Sequence, residues 1–223
     1  MRVLHAVTPQ ETFVASGTYL YRRGDVILGG VEHFSVHQQP DHAHFIRIDY
    51  DWREAYQTSQ LIEALTDPTG QLVFSRVVAQ IQRGSTLKRE TYDFHPDRVY
   101  IGITGEGGAR QDIEQALPLG YLPLFTKTAL LGWALAAWPA TEAAQTFSGY
   151  RDDQRTAVVT TTRACRTGPE ITAYGEGQGY DILQAGEQQH ATLLPQGIVA
   201  QRTHDDLYIL LTQYAHRAVG GAQ

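Results

Sequence analysis

Residues alternating with a period of two, broken about every ten positions by turn-forming tripeptides, dominate the first 104 residues of this chain. Along residues 12–22 one face carries Phe13, Ala15, Gly17, Tyr19 and Tyr21 and the other Val14, Ser16, Thr18 and Leu20, before Arg23-Gly24-Asp25 interrupts and Val26-Ile27-Leu28 follows. A pleated strand repeats every two residues and a helix every 3.6, so this pattern predicts a hairpin. Residues 31–38 and 42–52 form a second pair around Gln39-Pro40-Asp41, and residues 61–65 and 71–82 a third around Thr66-Asp67-Pro68-Thr69-Gly70. A fourth joins 86–94 to 98–104 through His95-Pro96-Asp97. Proline presets φ in such turns and glycine accepts a positive one. Links this short between successive strands favour an antiparallel meander over βαβ units.

The texture changes after Gly105-Glu106-Gly107-Gly108. Between residues 115 and 141 only Lys127 is charged, although 19% of the whole chain is. Such a shortfall predicts surface that is buried or faces a ligand. Pro118 and Pro123 prevent one continuous helix, so the expectation is a loop, a turn at 117–121 and a helix over about 123–138, ended by Pro139. The uninterrupted apolar run, 129–138, is too short for a membrane span, which needs ~20 residues. Beyond Tyr150 strands are expected at 155–165, 170–174, 180–183, 190–194 and 197–202. Residues 206–215 combine helical spacing of Leu207, Leu210, Leu211 and Tyr214 with a β-rich setting, and are read as a strand. The fold class expected is mainly β: an antiparallel curved sheet with an inserted apolar helix. Residues 1–223 are read as a single domain, with a β meander over 1–104, an apolar loop and helix insertion over 109–141 and a second meander over 150–216.

Composition excludes several functions. With 42% hydrophobic residues the chain can build a core, and a net charge of −6 without any basic run argues against nucleic acid as a partner. The single cysteine, Cys165, excludes an intrachain disulfide and a cysteine zinc cluster. Although Arg163 and Arg166 flank it, the chain offers no identifiable histidine partner, so a small buried hydrophobe is the preferred reading. The opening MRVLHAVTPQETF lacks the apolar run of a signal peptide, so a cytoplasmic protein is expected. No nucleophile elbow, phosphate-binding loop or dinucleotide fingerprint is present, and no cofactor is expected.

Two groups of residues could carry a function. His33, His37, His42 and His44 fall within twelve positions, and on a hairpin the pairs His33/His37 and His42/His44 could converge as metal ligands. The acids Asp49, Asp51 and Glu54 do not follow at the spacing a His-x-His metal site wants. A solvated turn around Pro40-Asp41 is therefore the preferred reading, with no metal. The second group is aromatic: Trp52, Tyr92, Phe94, Tyr100, Phe125, Trp133 and Trp138 are the expected wall of an apolar cavity between the curved sheet and the helix. Ordinary core packing is the competing account.

The order of elements carries a resemblance. A run of hairpins, then "LTDPTGQLVFSR" and "RETYDFHPDRVYI", then an apolar Pro-Leu insertion and more hairpins, resembles the half-barrel architecture of the lipoprotein carriers LolA and LolB. Separately, "YRRGDVILGGVEHFSV" followed by "IRIDYDWRE" is similar to the opening of the glycolipid-binding family with a spiral β-roll fold, anchored on Gly30, Glu32, Tyr50, Asp51 and Trp52. The resemblance implies a hydrophobic concavity closed by a helix and able to take an acyl chain. The absence of a signal peptide departs from the secreted carriers and leaves the fold and the apolar pocket as what carries over.

The expected function is thus non-enzymatic binding of a lipid or other apolar small molecule. Two alternatives stay open. One is a hydrolase or isomerase using the clustered histidines with Asp49 or Asp51. The other is an interaction protein, such as a homodimer, that docks through residues 115–141.

Overall fold

The expected hairpins are present in a computed structural model, which describes residues 1–69, 71–125, 127–139, 143–151 and 154–217. Strands β1 (Thr12–Arg23), β2 (Val26–Gln38) and β3 (His44–Trp52) lead through one helical turn, α1 (Arg53–Tyr56), into β4 (Thr58–Thr66), β5 (Phe74–Arg83), β6 (Thr86–His95) and β7 (Arg98–Thr104). A tight turn at Glu106–Gly108 reverses the chain into β8 (Arg110–Ala116). Next come β9 (Leu122–Pro123), helix α2 (Thr128–Ala136), β10 (Ala143–Arg151), β11 (Thr156–Thr172), β12 (Gly175–Gln184), β13 (Glu187–Leu193), β14 (Val199–His204) and β15 (Leu207–His216).

The fifteen strands among the described residues belong to one sheet, in the order β8-β7-β6-β5-β4-β3-β2-β1-β15-β14-β13-β12-β11-β10-β9. Each neighbouring pair is antiparallel except the short parallel contact between β9 and β10. The two meanders therefore meet where β1 pairs with β15, and the sheet stays open at β8 and β9. With 66% of residues in strands and 8% in helices, the protein is mainly β.

The sheet is strongly curved. Rings of Tyr92 and Phe94 on β6 lie 5.6 and 5.7 Å from Phe147 on β10, although those strands are third and fourteenth in the sheet order. The inner face is apolar: Phe34, Ile46, Ile48, Phe74, Ile101, Ile182 and Val199 are each almost fully buried. α2 lies against this face near β13 and β14. Thr128, Ala129, Leu130, Leu131, Gly132, Ala134 and Leu135 are all buried, and of the nine helical residues Trp133 is half-buried and Ala136 exposed. The helix comes close to the sheet at Gly132, where a Cβ would stand 2.2 Å from the carbonyl oxygen of Gly197 in the β13–β14 turn. Only glycine fits there without moving backbone.

Several elements differ from the sequence reading. Residues 26–28 and 31–38 form one strand, because a register irregularity opposite residues 20–22 absorbs Gly29 and Gly30. Residues 155–165 and 170–174 likewise join in β11 across an irregularity at Arg166/Gly168. The stretch 109–141 holds strand β8 and the two-residue β9, as well as a helix shorter than the 123–138 expected. Pro123 belongs to β9, and the helix starts at Thr128. The second meander begins at Ala143, and Leu207–His216 is a strand as read. Residues 140 and 141, at the end of the uncharged stretch, lie outside the described residues.

Candidate functional site

The N-terminus of α2 points at a buried carboxylate from the middle of the sheet. Lys127, before the first helical residue, supplies no side-chain cap, and the first turn contains no acid. Glu32 on β2, fully buried, takes that role: it accepts hydrogen bonds from the Ala129 N–H at 2.9 Å and the Thr128 N–H at 3.4 Å. A carboxylate here satisfies otherwise orphaned donors and meets the positive end of the helix dipole. The Tyr21 hydroxyl donates to the same carboxylate. Burial, reinforced by the charge of Glu32, pushes the Tyr21 phenol well above its usual range.

Two cations accompany Glu32. The Lys127 ammonium stands 3.3 Å from the ring centroid of Tyr50, a cation–π contact. Burial pulls its pKa down to about 8; Glu32 opposes this shift and Arg202 adds to it. Arg202 on β14 is buried and donates from Nε and Nη2 to the side-chain Oε1 of Gln189 at 3.0 and 2.6 Å. Burial lowers its pKa too. Beside this cluster Tyr50, Trp52 and Tyr56 stack in a ladder, with centroids 5.6 and 4.9 Å apart, and Tyr21 meets Trp52 edge-on at 5.2 Å. Gly30 makes room for the indole, since a Cβ there would stand 1.8 Å from the Trp52 Nε1. Gly30, Glu32, Tyr50 and Trp52, four of the five anchors of the β-roll resemblance, thus assemble in one place. Asp51 does not join them and pairs with Arg53 at 2.6 Å.

The seven expected wall residues do not form one group. Tyr92, Phe94 and Phe125 do come together, in a cluster with Phe74, Tyr121 and Phe147 whose centroids lie 5.6–6.5 Å apart in mostly tilted and edge-on geometry. Trp133 packs against His44 at 4.6 Å, and Trp138 is buried at the far end of α2. Trp52 belongs to the Tyr50 ladder. Tyr100 points away from the interior: it is 40% exposed and lies edge-on to His95, while its strand neighbours Val99 and Ile101 face inward. Among the described residues the indole N–H groups of Trp52, Trp133 and Trp138 are buried without an acceptor.

The four histidines separate as well. His33 and His37 share the outer face of β2, where the Nδ1 of His33 lies 3.0 Å from the Thr18 hydroxyl. Burial and the Arg47 charge lower the pKa of His37. His44 faces inward, its pKa also lowered by burial, and His42 sits in the turn with φ of 72°. No group of histidine, cysteine, aspartate and glutamate side chains among the described residues could hold a metal ion. The outer face of β3 and β4 is instead clasped by the first eleven residues. Arg2 pairs with Asp49 at 2.7 Å, His5 with Glu63 at 2.6 Å and Glu11 with Arg47 at 2.7 Å. Burial raises the pKa of Glu11, but hydrogen bonds and charge from Arg47, with the Thr8 N–H, outweigh it and hold it at about 2. A cleft of about 540 Å³ lies between this clasp and Phe45.

Fold and interior together define a barrel-like protein: an open, curled antiparallel sheet with a helix buried against its inner face. No family model matches the chain, and no curated protein matches it. Among solved structures it is similar to a beta-barrel-like protein of a domain of unknown function, DUF1849, from Brucella abortus. That likeness covers 93% of this chain and 99% of the other at a TM-score of 0.56 and 12% identity, a kinship of fold. Among the described residues no helix is long and apolar enough to cross a membrane.

Proposed function

We propose that this chain, acting as a single domain, binds a lipid-like or other apolar small molecule along the inner face of its curled sheet, in the manner its resemblance to the LolA and LolB carriers implies. The observation that carries the reading is the pairing of an aromatic interior with unpaired donors. Tyr92, Phe94, Phe125 and Phe147 offer tilted and edge-on ring faces, and the buried N–H groups of Trp133 and Trp138 have no acceptor among the described residues. Rings bury large apolar surface, and transfer of a ligand's apolar surface contributes ~25 cal/mol per Å². An orphaned indole N–H costs free energy until an acceptor meets it, which favours an acyl chain bearing a carbonyl or carboxylate head. A cytoplasmic setting belongs to the same reading.

The alternatives find less support. Asp49 and Asp51, the acids of the hydrolase reading, are engaged by Arg2 and Arg53. The helix of the homodimer reading turns its apolar residues inward. Solvent extraction of the purified protein with mass spectrometry, combined with titration of tryptophan emission by decanoate, tests the proposal. Co-purifying acyl compounds and saturable quenching are expected. An empty extract together with unchanged emission would show the interior to be core and nothing more.

A further inference from the structure

We infer that the Lys127 amine is a carbonyl-reactive group, the point at which an apolar aldehyde entering the interior is held as an imine. This rests on the apolar-ligand reading and names the chemistry of one ligand class. The chain has two lysines, and their surroundings differ sharply. Lys88 stands 2.8 Å from Glu90 and is held as an ion-paired ammonium. The Lys127 amine makes neither an ion pair nor a hydrogen bond among the described residues; its nitrogen rests on the Tyr50 ring, which attracts a cation but offers no lone pair. Glu32, the carboxylate nearest in this cluster, is already occupied by the α2 N–H groups and Tyr21.

Desolvation beside a second cation is a recognised way to free a lysine lone pair for attack on carbonyls, and Lys127 has both conditions in burial and Arg202. The amine sits near the edge of the interior: Lys127, Tyr50 and Trp52 are half-buried, and the stack Tyr50, Trp52, Tyr56 ends at a ring that is 60% exposed. The flat faces of these rings suit an alkyl chain laid beside them. The chemistry balances without a redox partner. Lys127 loses a proton to solvent, its lone pair forms the C–N bond, proton transfer gives the carbinolamine, and the C–O bond breaks to release water and leave the imine.

The test uses decanal and propanal with cyanoborohydride at pH 7.5, which traps an imine as a secondary amine, followed by peptide mass mapping. Lys127 is expected to be alkylated by decanal at least ~10-fold faster than Lys88, since an amine with a lowered pKa carries far more free base at this pH. Decanal should also outpace propanal at Lys127, and Lys127→Arg, which keeps a cation over Tyr50, should lose the adduct. Equal labelling of both lysines, or propanal matching decanal, overturns the inference. Decanoate titration of the same samples separates the two claims. Quenching by decanoate without a selective Lys127 adduct removes the imine and leaves apolar binding standing, whereas loss of both removes both.

Discussion

The sheet buries charge on both faces, and it does so in two ways. On the outer face of β3 and β4 each buried polar side chain meets a partner from the N-terminal segment: Asp49 meets Arg2, Glu63 meets His5 and Arg47 meets Glu11. On the inner face one carboxylate, Glu32, meets two cations and a helix terminus, and its direct partners are backbone N–H groups and a phenol. Matched pairs close on themselves and serve to fasten the N-terminal segment. The inner cluster is electrostatically uneven, and unevenness of this kind shifts pKa values where a ligand can exploit them.

Breaking the outer set should have the largest effect. Arg47→Met leaves Glu11 buried without its partner and is expected to cost about 3–5 kcal/mol by urea denaturation, while Glu11→Gln combined with Arg47→Met recovers part of the loss. On the inner face Glu32→Gln retains one acceptor oxygen for three donors, so about 1–3 kcal/mol should be lost, with a shift in the emission of Trp133 as α2 loosens. The gentlest probe is pH, because the two faces respond at opposite ends of the scale. Glu11 has a folded pKa of about 2 against 4.5, so its contribution is fully present above 4.5 and lost as pH falls toward 2. Lys127 has a folded pKa of about 8 against 10.5, so the folded chain binds fewer protons and stability from this group rises between those values. Glu11→Gln should flatten the acid limb and Lys127→Met the alkaline gain, each leaving the other limb intact.

Strand-by-strand, the first meander was readable because each hairpin alternates in hydrophobicity and ends in a Pro- or Gly-bearing turn. β8 was not, since Arg110, Asp112 and Glu114 alternate with Gln111, Ile113 and Gln115 on an edge strand that is mostly exposed, leaving almost no apolar signal. The splits at Gly29-Gly30 and Gly168 were misleading for a related reason: glycine marks irregularities inside a strand as well as its end, and only the partner strand tells which. The site was less legible than the fold. Aromatic type alone drew in Tyr100, whose period-two position on β7 turns it outward. Glu32 stands 97 residues before Ala129, whose N–H it binds, and nothing local in either segment signals the other. An isolated carboxylate among Val31, Phe34 and Val36 on a buried strand was the available hint, because such a charge needs a partner from elsewhere.

The central seam between β1 and β15 also fixes a timetable. Thr18 and Thr212, hydrogen-bonded across it, are 194 residues apart, so the middle of the sheet joins two strands far apart in the chain, β1 and β15. During synthesis the β1–β8 meander emerges with its β1 edge bare until β15 arrives, and contacts this distant in sequence form slowly. A chain shortened before Leu207 would leave two half-sheets with four unpaired edges in place of two, which makes β15 the strand that decides whether the newborn protein closes or aggregates.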